Sequence, residues 1–213
     1  MTEAEWLGCR EPQGMIEHVR MEVSDRKLRL FATAWLRQVW HALNDDRSRQ
    51  AVEIAERHAD GLASDAELDR ACDAAGKVIQ VFDSERRWTR TAFEAACAAN
   101  WVAVEEAVEA ADQQLLWKIA DGQDQLQASL LRELLGNPFR PISIDPAYLS
   151  WHDGLIPTMA QRMYDRRDFS DMPVLADALE ESGCQNQDIL GHCRSGGEHV
   201  RGCWVVDALL GKE

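Results

Sequence analysis

Residues 24–43 read SDRKLRLFATAWLRQVWHAL, and the spacing of their apolar side chains decides the fold class. Leu28, Phe31, Trp35 and Val39 recur at steps of three and four, and Leu36, Trp40 and Leu43 widen the same stripe. A repeat near 3.6 residues gathers these side chains on one side of a helix, so the segment is a buried amphipathic helix. Ser24 or Asp25 is placed to cap its start. Asn44, Asp45 and Asp46 close it and open the next helix.

The same reading extends in both directions along the chain. Arg47 to Asp60 carries Val52, Ile54, Ala55 and Ala59, and stops at Gly61, a residue suited to a left-handed helix end. Ser64 and Glu67 form an S-x-x-E capping box ahead of Leu68, Ala71, Cys72 and Ala75. From Thr89 to Gly136 the chain is rich in Ala, Glu, Gln and Leu and free of proline, which predicts one or two long helices with a break near Asn100 or Gly122. Residues 136–159, GNPFRPISIDPAYLSWHDGLIPTM, then hold four of the six prolines. Each proline disfavours helix in the residue before it, so Gly136 to Asp145 is expected to be an extended connector. Asp145 before Pro146 opens a short helix through Trp151. Short helices follow over Ile156 to Asp168 and Met172 to Ser182. No alternating strand pattern is sustained anywhere. The expected class is all-α: an N-terminal helical bundle over 1–136, then a Pro-rich connector and a smaller short-helix region over 137–213.

Composition narrows the function classes. The 213 residues are 46% hydrophobic with eight Trp and five Phe, enough apolar surface to build a core without disulfides. The formal net charge of −14 opposes approach to a polyphosphate backbone, where Lys and Arg must replace condensed counterions. Nucleic acid and anionic membrane surfaces are therefore disfavoured partners, and no run of about 18 apolar residues exists to span a bilayer. The opening MTEAEWLGCREPQGM has acidic residues where a secretory signal needs a basic end, so a cytoplasmic location is expected. In such a reducing compartment the six Cys are thiols or metal ligands rather than disulfides.

The sharpest chemical signal lies in Gly183 to Glu213, GCQNQDILGHCRSGGEHVRGCWVVDALLGKE. Cys184, Cys193, His199 and Cys203 follow a C-x8-C-x5-H-x3-C spacing, with His192 as a substitute ligand. If Glu198 to Leu210 is helical, His199 and Cys203 share one face, and the turn at Ser195, Gly196 and Gly197 folds Cys193 and Cys184 back toward them. Three thiolates and one imidazole suit Zn²⁺, and a closed four-ligand site is structural rather than catalytic. The competing account is plain packing, because Cys is among the most buried residue types and Cys203 precedes Trp204, Val205 and Val206.

The spacing resembles that of CCCH-type zinc fingers, C-x8-C-x5-C-x3-H, with the last two ligand types exchanged. Only Arg194 and Arg201 lie among the ligands, without the aromatic residues on which bases stack. A broader resemblance covers nearly the whole length. MTEAEWLGCREPQGM, SDRKLRLFATAW, GNPFRP, LADALEESGC and HCRSGGEHVRGCWVVDALLGKE are similar to a large paralogous family of uncharacterised planctomycete bacterial proteins. That resemblance implies a bacterial context and carries over no catalytic residue.

Three readings follow. One is a non-enzymatic helical module with a structural Cys3His zinc site, which binds a protein partner, a basic one suiting its acidic surface. Another is an enzyme with hydrolase-like acid-base chemistry at the 140–154 connector, using His152 and Asp153 beside Tyr148 and Arg140. The last is a metal-free helical structural protein.

Overall fold

The computed structural model describes residues 1–85, 95–99 and 124–212, and its described residues are helical or irregular, with no strand among them. The all-α class holds. The chain divides into two compact units, Met1–Leu131 and Arg132–Glu213. The division falls inside a helix, a few residues before the 136/137 boundary expected from the glycine and prolines.

The N-terminal unit opens with α1 (Glu3–Gly8) and α2 (Pro12–Val19). Thr2 caps α1 in a reciprocal box, its hydroxyl accepting from Glu5 N–H at 3.3 Å while the Glu5 carboxylate accepts from Thr2 N–H at 2.7 Å. Pro12 starts α2 where no amide donor is needed. The long helix read from the sequence is α3 (Asp25–Gln38), and Ser24 is its cap. Leu28, Phe31, Trp35, Leu36 and Leu43 are all buried, as is Val39. After a short 3-10 turn over Trp40–Ala42, α4 (Asp46–Ala59) packs on both α3 and α5 (Asp65–Glu85). Asp45 caps α4, and Gly61 at φ 69° ends it with Leu62 N–H bonded to the Arg57 carbonyl at 2.7 Å. The Ser64–Glu67 box opens α5, with Ser64 N–H donating to Glu67 Oε2 at 2.9 Å.

Polar groups are also buried in this unit. Arg37 donates twice to Glu56, Nε to Oε1 at 3.0 Å and Nη2 to Oε2 at 2.8 Å, in a bidentate pair with Glu56 almost fully enclosed. Of the predicted 89–136 helices, residues 95–99 and α6 (Asp124–Leu135) are helical. The proposed breaks at Asn100 and Gly122, like Trp88, Trp101 and Trp117, lie outside the described residues.

The C-terminal unit is made of short pieces: α7 (Pro146–Ser150), a 3-10 turn over Trp151–Asp153, α8 (Leu155–Arg166), α9 (Met172–Glu181), α10 (Gln187–Arg194) and α11 (Trp204–Leu210). Helices this short are marginal alone and depend on packing. α8 packs against α7, α9 and α11, and α10 against α9 and α11. The core between them gathers Ile156, Met163, Tyr164, Leu175, Leu179 and Val206. Caps mark the boundaries: Asp145 accepts from Ala147 N–H at 2.8 Å, and Asn186 accepts from Asp188 and Ile189 N–H at 2.9 and 3.3 Å.

Candidate metal centre

Four side chains from four places in the C-terminal unit converge here. Glu133 comes from the last turn of α6, His192 from α10, His199 from the loop after it, and Cys203 from the N-cap of α11. Each offers a ligand atom, and no two of these atoms lie more than 4.8 Å apart. The group is enclosed: the side chains of Glu133 and His199 are 8% and 5% exposed and that of His192 16%, while Cys203 is fully buried.

Local folding explains each placement. The sequence reading put His199 and Cys203 on one helix from Glu198, but helix begins only at Trp204. A tight turn joins them instead. Cys203 N–H donates to the Val200 carbonyl at 3.0 Å, and Gly202 takes φ 94° in the turn's third position, a conformation that favours glycine. His192 was named as a substitute ligand, and the structure brings it into the group. Cys184 and Cys193 stay out of it. Neighbours on a helix point about 100° apart, so with His192 turned to the cluster, Cys193 turns into the apolar core. Cys184, after Gly183 at φ 101°, is buried in that same core. The Cys3His set is thus redrawn as Glu, His, His and Cys, with two of its four expected members replaced.

Glu133 was not anticipated. Its sequence signal is a carboxylate three residues after Leu130 and one before Leu134, two fully enclosed leucines, so it stands at the edge of an apolar helix face.

The contacts define the electrostatics. Glu133 Oε1 is 3.1 Å from His199 Nδ1, and Oε2 is 3.4 Å from His192 Nε2. That same Nε2 is 3.2 Å from Cys203 Sγ. Burial pushes the His192 imidazole down to about 4, opposed by Glu133 and reinforced by His199, so the ring is neutral near pH 7. Burial likewise pushes the Cys203 thiol well up, with Glu133 adding to the effect and the N–H groups of Val206 and Val205 opposing it. Cys193 is raised by burial to about 12 and is an inert core thiol.

Nucleophilic catalysis does not fit this arrangement. A Cys-His-carboxylate triad needs sulfur and carboxylate on opposite ring nitrogens, whereas both meet His192 through Nε2. A metal fits better. Donors bonded to a tetrahedral cation at about 2.0–2.3 Å stand about 3.3–3.6 Å from one another. The 3.4 Å and 3.2 Å separations at His192 Nε2 are close to such edges. Glu133 Oε1 and His199 Nδ1, 3.1 Å apart, stand close to a third such edge.

The connector residues of the enzyme reading do not converge. His152 and Asp153 are exposed, at φ 45° and 58°, and the His152 ring lies edge-on to Trp151 with centroids 4.1 Å apart. Arg140 instead faces Asp188 at 3.9 Å. Tyr148 faces Cys184, and its hydroxyl is raised by desolvation and then by that thiol.

No protein-family model, no curated protein and no solved structure matches this chain.

Proposed function

We propose that this chain is a non-enzymatic helical protein whose C-terminal unit is fastened by one zinc-type cation, held by Glu133, His192, His199 and Cys203. The observation that carries the reading is the enclosure of four donors within 4.8 Å of one another. One thiolate and two imidazoles favour a borderline cation such as Zn²⁺ over Mg²⁺ or Ca²⁺, which take oxygen ligands. Cys203 and His192 would bind through Sγ and Nε2, His199 through Nδ1, and Glu133 through a carboxylate oxygen. Four protein ligands leave no position for substrate, so the cation's contribution is to cross-link segments that lack long helices of their own. The module acts by binding a protein, and the net charge of −14 suits a basic partner.

Elemental analysis of protein purified without chelators tests this directly. Close to one equivalent of a transition metal is expected, and less than about 0.2 equivalents would overturn the reading. Cobalt loading should produce a sulfur charge-transfer band that Cys203→Ser abolishes. The double variant Cys184→Ser, Cys193→Ser should keep both metal and band. Loss of metal in that double variant would restore the Cys3His set.

A further inference from the structure

Trp204 touches the supports of three of the four donors. It directly follows Cys203 and begins α11. Its ring lies 4.9 Å from the His192 ring between centroids, inclined by 51°. On another side it meets the backbone of Gly136, three residues after Glu133: a methyl group built on Gly136 would come within 3.1 Å of Trp204 Cγ and Cδ2. Gly136 is also at φ 66° and donates its N–H to the Arg132 carbonyl at 2.9 Å, the bond that terminates the helix bearing Glu133. Glycine is thus favoured there by the left-handed conformation, and a Cβ at 136 would press on the indole lying against it.

From this we infer that Trp204 and Gly136 are positioning residues for the cation site. The indole is a wedge that sets the distance between the end of α6 and α10, and so between Glu133 and His192. The inference rests on the metal reading above and adds which residues outside the donor set hold its geometry. Outer supports of this kind typically change metal affinity by about 10- to 100-fold when removed.

The test uses the full chain, with Co²⁺ as the probe, in Trp204→Phe, Trp204→Ala and Gly136→Ala. Circular dichroism first identifies which variants retain helix. Trp204→Ala is expected to weaken Co²⁺ binding about 10- to 100-fold and to shift the visible ligand-field bands, as the angles around the cation relax. Trp204→Phe, keeping a flat ring against Gly136, should restore affinity to within about threefold and return the bands toward wild type. Gly136→Ala should shift the bands in the same sense as Trp204→Ala, and it serves as the deciding variant if Trp204→Ala does not fold. Folded variants with wild-type affinity and unshifted bands overturn the inference while leaving the metal site standing. A wild-type protein that takes up no Co²⁺ overturns the site itself, and this inference with it.

Discussion

The two units are built by different means. In Met1–Leu131 the long helices α3, α4 and α5 bring wide apolar faces together, so Trp35, Leu36 and Val52 are enclosed by neighbours of their own kind. Burial of that sort is non-directional and proportional to area. In Arg132–Glu213 no helix within the unit exceeds 12 residues, and an apolar core is accompanied by an enclosed group of carboxylate, imidazoles and thiol. Short helices bring less apolar area per ordered residue, and directional bonds must supply more of the specificity. One unit therefore tolerates conservative swaps of its core, whereas the other depends on particular atoms at particular distances.

Metal removal draws the contrast most strongly. A structural zinc contributes roughly 10–16 kcal/mol of apparent binding free energy near neutral pH. Treatment with a strong chelator should abolish hydrogen-exchange protection across α10 and α11 while amides of α3 keep theirs. Equal loss in both units would erase the distinction. The sign of the pH effect follows from the thiol: Cys203 is protonated in the free site and must lose that proton to bind. Metal affinity should therefore rise with pH, by up to about tenfold per unit for one proton released, as followed by chelator competition from pH 6 to 8. A flat profile would remove Cys203 from the ligands.

Core truncation comes next. Trp35→Ala should destabilise the protein by about 3–5 kcal/mol in urea unfolding, because the indole is enclosed by α3's neighbours. Metal content should stay at the wild-type value. Arg37→Ala is smaller. It leaves the Glu56 carboxylate enclosed without its bidentate partner, for a loss of about 1–3 kcal/mol, and Glu56→Gln in the same background should recover part of it. Smallest is Asn186→Ala, which removes the side-chain cap of α10 at a cost of about 1 kcal/mol. Since α10 carries His192, the variant should also weaken metal binding, and an unchanged affinity would show the helix start to be irrelevant to the site.

Local sequence carried much of this architecture. The stripe from Leu28 to Val39, the Ser64–Glu67 box, and the glycines at 61 and 183 announce their structures because the interactions involved span three to five residues. Two early helices were legible yet unread: Thr2 with Glu5 and Pro12 at a helix start are the same kinds of signal. The metal-competent pair His199 and Cys203 was also visible, although by way of a helix that proves to be a turn at Gly202.

What the amino-acid order determined by itself was the all-α class, most helix ends, and the tail as the place where soft donors accumulate. Which donors meet was decided only in three dimensions. Glu133 and His199 are 66 positions apart and touch at 3.1 Å. Cys193, beside His192 in the chain, turns instead into the apolar core. Spacing along a strand of text records neighbours within a turn or two of helix. A coordination shell depends on where helix ends are carried by packing, and that is a property of the assembled core.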